Sequence, residues 1–121
     1  MTLKIVLVVD DEIDMADTCI RLLERMGCEC LQASDSPQAI SLINSGIPDL
    51  ILTDYNLPHG DGFEIANLAH QMSPPRPVIM MTGYHTSEMA QAAKEAGVSA
   101  YLRKPFTTAE LTKAVLGVLG D

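Results

Sequence analysis

Short apolar runs rich in β-branched residues alternate with longer amphipathic stretches along this chain, and that alternation restricts it to a fold of repeated βα units. Five such units can be counted. Ile5 to Val9 is apolar throughout, as expected of a central parallel strand covered on both faces. In the stretch that follows, Met15, Cys19, Leu22, Leu23 and Met26 recur at helical spacing, and Gly27 stands where a left-handed C-terminal cap belongs. The second unit is more polar. Glu29 to Ala33 alternates as an edge strand does, Ser36 and Pro37 supply an N-cap and a first-turn proline, and Ala39, Ile40 and Ile43 give the helix its apolar face.

The third run, Leu50 to Thr53, ends at Asp54, after which Pro58, Gly60 and Gly62 mark a loop. Asp61 with Glu64 forms a cap pair for a third helix, which has to finish before Ser73, Pro74 and Pro75. Val78 to Thr82 is the fourth strand. Met89, Ala92, Ala93 and Ala96 then mark one narrow face of a fourth helix closed by Gly97. Ala100 to Arg103 makes a short fifth strand, and Thr107 with Glu110 forms a capping box ahead of Leu111, Ala114, Val115, Val118 and Leu119. With no repeat, linker or low-complexity run, residues 1–121 are expected to form a single domain.

Right-handed crossovers turn five βα units into a doubly wound parallel sheet. Strands one, three and four are the most apolar, so the flavodoxin-like order 2-1-3-4-5 is expected, with the more polar strands two and five at the edges. In such α/β sheets a ligand lies beyond the carboxyl ends of the strands, where the winding reverses. Here that point falls between strands one and three, and it gathers Asp10, Asp11 and Asp54.

Three carboxylates in one crevice repel each other unless a cation lies among them. Hard oxygen donors, with no His or Cys nearby in sequence, suit Mg²⁺, which keeps waters and can bind a phosphoryl oxygen. Glu12 and Asp14 are assigned instead to the positive end of the first helix. Thr82 and Lys104 close the fourth and fifth strands and reach the same edge of the sheet. Taken singly, each reads as a strand former and a surface charge. Together they place a hydroxyl donor and a point cation beside a carboxylate and a metal, the parts that stabilise a phosphoryl group in transfer.

The motifs fall in order: Val8-Val9-Asp10-Asp11-Glu12, then Asp54-Tyr55-Asn56-Leu57-Pro58 with Asp61-Gly62, then Met80-Met81-Thr82-Gly83, and Tyr101-Leu102-Arg103-Lys104-Pro105-Phe106. In this the chain resembles, over essentially its whole length, the receiver domain of bacterial two-component response regulators. The resemblance implies that Asp54 is the nucleophile, accepting phosphoryl from a phosphohistidine of a histidine kinase or histidine phosphotransfer protein. It implies that Asp11, Asp54 and the Asn56 carbonyl bind Mg²⁺ directly, with Asp10 acting through a metal-bound water. Lys104, the Thr82 hydroxyl and the Gly83 backbone N–H are implied partners of the phosphoryl oxygens, with a cis peptide before Pro105. On phosphorylation, Thr82 would move toward the new oxygens and Tyr101 would rotate into the space vacated. That would alter the face made by helix four, strand five and helix five, where a partner would bind. Asn56 and Tyr84 are the positions at which to look for control of phosphate lifetime, although Tyr84 reads equally well as an exposed loop aromatic and Tyr101 as a half-buried edge-strand aromatic with no switching role.

The rival from another class is a Mg²⁺-dependent aspartate-nucleophile phosphatase of the haloacid-dehalogenase type. It needs a DxDx[TV] pattern after the first strand, which Asp10 to Asp14 does not supply. A flavodoxin proper would want a hydroxyl- and glycine-rich phosphate loop where this chain has carboxylates. The domain is therefore read as a stoichiometric phosphoacceptor with intrinsic self-dephosphorylation, not an enzyme. A net charge of -8 argues against direct binding to nucleic acid or anionic lipid. The first apolar run is too short for a signal segment or membrane span, so a cytoplasmic protein is expected. Cys19, Cys28 and Cys30 form no metal or redox motif and read as reduced thiols. A monomer or weak dimer is expected. No effector segment follows the fifth helix within this sequence, which fits a stand-alone regulator, a relay intermediate or part of a longer protein.

Overall fold

Every residue from Val6 to Val9 and from Leu50 to Asp54 is buried, so these runs form the centre of the sheet. The computed structural model describes residues 4–119. Its elements are β1 (Ile5–Val9), α1 (Ile13–Arg25), β2 (Glu29–Ala33), α2 (Ser36–Asn44), β3 (Leu50–Asp54), β4 (Asn56–Leu57), β5 (Gly60–Asp61), α3 (Gly62–Gln71), β6 (Val78–Thr82), α4 (Ser87–Glu95), β7 (Ala100–Arg103) and α5 (Thr108–Leu119). The five long strands are all parallel, in the order β2-β1-β3-β6-β7. That is the expected doubly wound arrangement.

The period of two along each strand divides the core into two layers. Val6, Val8, Leu52, Ile79 and Met81 face Cys19 and Leu23 of α1 and Leu111 and Val115 of α5. Leu7, Val9, Ile51 and Val78 face Ile43 of α2 and Ile65 and Ala69 of α3. Burial of each large side chain is worth about 1.5–3 kcal/mol, enough to hold the sheet rigid under the site. Helix α4 buries only Ala93 completely, in keeping with its narrow face of small residues.

The ends of the helices follow the expected chemistry with one correction. Gly27 and Gly97 adopt positive φ, +90° and +84°, after α1 and α4. Asp61 accepts the Glu64 N–H at 3.0 Å, and Thr107 and Glu110 satisfy one another's backbone N–H groups. Helix α2 is capped by Asp35, whose carboxylate accepts the Gln38 N–H at 2.9 Å, and not by Ser36. Ser36 is instead the first helical residue, and a contact with a distant helix takes its hydroxyl inward.

The segment after β3, expected as a loop, contains a small antiparallel hairpin in which Asn56 pairs with Asp61 and Leu57 with Gly60. His59 makes its turn with φ +65°. At the opposite end of the sheet, the Arg76 guanidinium donates to the carbonyls of Pro48 at 2.9 Å, Pro74 at 2.5 Å and Gly46 at 3.1 Å. One side chain thereby ties the loop before β3 to the loop before β6.

Candidate functional site

Parallel strands bring their C-terminal ends to one edge, and the register sets which residues meet there. Asp10 continues β1, its N–H bonding the Ala33 carbonyl, while Asp54 closes β3 in register with Met81. Lys104 follows β7 and donates its backbone N–H to the Thr82 carbonyl at 2.8 Å. The Lys104 ammonium then reaches back across β6 to the acids. Its Nζ lies 3.1 Å from Asp10 Oδ2, 3.3 Å from Asp54 Oδ2 and 3.9 Å from Glu12 Oε1. The Lys104–Pro105 peptide is cis, as the resemblance implies.

Asp10 is 1% exposed and Asp54 8%, so both carboxylates are largely removed from water. Asp10 also accepts the Glu12 N–H at 2.9 Å, which fixes the turn into α1. Burial pushes the Asp54 carboxyl above its ordinary value, with the Asp10 charge adding to the rise and Lys104 opposing it. Burial alone would lower the Lys104 ammonium, but the charges of Asp54 and Asp10 outweigh it and hold its pKa above the usual lysine value. The Lys104 cation and the two acids therefore depend on one another.

A cleft of about 410 Å³ opens over this pair and is lined by Asp11, Glu12, Asp54, Asn56, Leu57, Gly83 and Lys104. Carboxylate oxygens of Asp10, Glu12 and Asp54 lie within 4.8 Å of one another. A donor set made only of oxygens, partly buried and carrying excess negative charge, fits a hard divalent cation such as Mg²⁺. Asp11 joins from the exposed side of the cleft. Glu12, assigned from sequence only to the helix start, is brought to the cleft as well. Its position two residues after Asp10 was the available signal.

Thr82 is buried, and its Oγ1 accepts the Tyr84 N–H at 2.9 Å, so the hydroxyl is engaged with the loop that follows β6. Tyr101 Oη donates to the Tyr84 carbonyl at 3.3 Å, and its ring lies 5.7 Å from that of His85. The backbone of one residue, Tyr84, thus contacts both side chains, Thr82 through its N–H and Tyr101 through its carbonyl. On the other flank, α3 begins immediately under the site. A Cβ on Gly62 would lie 2.9 Å from the Asp54 carbonyl oxygen and 3.1 Å from Tyr55 Cα, so the close approach requires glycine.

The three cysteines are free and serve no part of this cleft. Burial first, and nearby acidic charge second, pushes Cys19 and Cys30 up to about 11, which leaves them as thiols. Among the described residues, no helix is long and apolar enough to cross a membrane.

Comparison with known proteins agrees with this architecture. The family model for the response regulator receiver domain matches residues 6–116. The phosphate regulon transcriptional regulatory protein PhoB of Pseudomonas aeruginosa is 35% identical over 96% of this chain and 52% of its own length. The chain thus spans about half the length of the PhoB relatives it matches. Sporulation initiation phosphotransferase F of Bacillus subtilis is 32% identical over 91% of this chain and 89% of that protein. Among solved structures, a CheY-like receiver domain protein from Methanospirillum hungatei superposes with a TM-score of 0.91 at 31% identity, covering 98% of this chain and 95% of that one. The chemotaxis response regulator CheY4 of Vibrio cholerae gives 0.88 at 30% identity, covering 97% and 99%. The chain belongs to the response regulator receiver family, the phosphoacceptor signalling domains of two-component systems.

Proposed function

We propose that Asp54 is the phosphoacceptor, taking a phosphoryl group from a phosphohistidine on a histidine kinase or a histidine phosphotransfer protein. The observation that carries this reading is the Asp54 carboxylate, largely buried at the mouth of the cleft and 3.3 Å from the Lys104 ammonium. An Asp54 oxygen attacks phosphorus, the phosphorus–nitrogen bond breaks, and the imidazole leaves. Bound Mg²⁺ would supply neutralising charge and orientation for the phosphoryl oxygens. Asp11, Asp54 and the Asn56 carbonyl would hold it directly, and Asp10 through a water. Lys104 would pair with a phosphoryl oxygen once one is attached to Asp54, and the Thr82 hydroxyl and Gly83 N–H would donate to the others.

Switching rests on the backbone of Tyr84, whose N–H and carbonyl contact Thr82 and Tyr101. If Thr82 turns its hydroxyl toward a phosphoryl oxygen, the Tyr84 N–H loses its acceptor, and the loop that also receives Tyr101 Oη is freed to move. The face of α4, β7 and α5 then changes for a protein partner, with no direct role for nucleic acid or membrane. The reading takes the domain as single over residues 1–121, cytoplasmic, monomeric or weakly dimeric, and modified once per cycle with intrinsic self-dephosphorylation.

Incubation with a small phosphodonor and Mg²⁺ tests this against the phosphatase reading. One phosphoryl group per chain, absent with EDTA and absent in Asp54→Asn, supports the switch. Many turnovers of varied phosphate esters would sink it.

A further inference from the structure

The hairpin carrying Asn56 is fastened from outside the cleft by two residues that the chemistry above does not use, Ser36 and Glu64. Ser36 is fully buried at the start of α2. Its Oγ donates to Glu64 Oε1 at 2.5 Å, linking α2 to α3, and its N–H donates to the Pro58 carbonyl at 3.2 Å. Gly60 lies directly on this bond, since a Cβ there would come within 2.5 Å of both Ser36 Oγ and Glu64 Oε1. Pro58 and Gly60 flank the turn, and the strand pairs Asn56–Asp61 and Leu57–Gly60 transmit their position to Asn56. Glu64 is otherwise exposed, and among the described residues it is the one side-chain partner of the Ser36 hydroxyl, so the bond satisfies the buried serine while drawing an exposed glutamate onto the hairpin.

We infer that Ser36 and Glu64 are positioning residues that hold the Asn56–Asp61 hairpin at the height at which the Asn56 carbonyl completes the cation site. The inference rests on the metal reading proposed above and adds to it two residues outside the cleft. A short backbone hairpin has few contacts of its own, and a carbonyl ligand can be placed only through the backbone that bears it. The α2–α3 bond, seated beneath Gly60, supplies that placement.

The test uses the unphosphorylated protein with Mn²⁺ as the probe, followed by electron paramagnetic resonance, together with amide hydrogen exchange. Ser36→Ala is expected to weaken Mn²⁺ binding about tenfold, the lower end of the cost of losing an outer-shell partner. It is also expected to speed exchange at Asn56 to Gly62 while leaving β1 and β3 protected. Glu64→Ala, at an exposed position, should reproduce both effects even if the Ser36 variant folds poorly. Glu64→Gln keeps an oxygen acceptor and should restore both. Wild-type affinity in Ser36→Ala and Glu64→Ala overturns the inference, as does weakened affinity in Glu64→Gln equal to that of Glu64→Ala. A wild-type protein that binds no Mn²⁺ would instead overturn the metal reading, and the inference with it.

Discussion

The Lys104 ammonium lies 3.3 Å from the Asp54 carboxylate, so the last strand of the sheet is tied electrostatically to the middle one at the centre of the site. The same nitrogen reaches the fully buried Asp10 side chain at 3.1 Å. Lys104→Met therefore leaves two desolvated carboxylates without their cation. Breaking a buried pair costs about 3–5 kcal/mol, and water at the open cleft reduces this to about 2–3 kcal/mol here. Urea unfolding in EDTA should show that loss, and added Mg²⁺ should recover most of it by taking the place of the ammonium.

Asp54 is held above its ordinary pKa by burial and by Asp10, so ionising it costs the folded state stability. The unfolded carboxyl titrates near 3.8. As pH rises from there through the raised folded value, the folded state gives up its proton later than the unfolded chain does, and stability falls; the penalty is complete above the folded value. Asp54→Asn removes it. In metal-free buffer the variant should melt above the wild type at neutral pH, and the difference should shrink as pH is lowered below about 4. Thermal melts across that range, monitored by circular dichroism, provide the check.

Arg76 bonds three carbonyls from two loops with one planar group. Arg76→Ala should destabilise the domain by about 1–3 kcal/mol, the range for losing hydrogen bonds from a charged donor, two of them partly buried and one exposed. Arg76→Lys should recover little, because a point charge cannot span three acceptors in a plane. Phosphorylation at saturating Mg²⁺ should be unchanged in both, since the clamp lies at the end of the sheet away from the cleft. Equilibrium unfolding and phosphodonor labelling of the same samples separate the two effects.

Much of this was legible because burial on both faces forces a continuous apolar run. Ile5–Val9, Leu50–Thr53 and Val78–Thr82 identified themselves as central strands, and the strand order delivered Asp10, Asp54 and Lys104 to one edge. Capping residues were nearly as plain where a matching acid stood three residues on, as at Asp61 with Glu64 and Thr107 with Glu110. At α2 three candidates adjoin, Ser34, Asp35 and Ser36. The Ser36 hydroxyl is bonded to Glu64 instead, 28 residues away, a partner that local chemistry does not reveal. The same limit hid the β4–β5 hairpin, whose pairing spans only Asn56 to Asp61, and the Arg76 clamp, whose acceptors are backbone atoms that any sequence would supply. Glu12 stands at the start of α1 as expected, and its second neighbourhood was hidden for a different reason. An acid at a helix start has a sufficient local explanation, and only the folded turn shows it beside Lys104.

The central claim, that Asp54 itself carries the phosphoryl group, is tested most directly by mapping the linkage. The protein would be labelled with a small phosphodonor and Mg²⁺, the acyl phosphate trapped by borohydride reduction, and the peptides read by mass spectrometry. The account predicts modification at Asp54 alone, at up to one group per chain, and none on Asp10 or Asp11 in either wild type or Asp54→Asn. Reduction products at Asp10 or Asp11 in the wild type, or full labelling of Asp54→Asn, would contradict it.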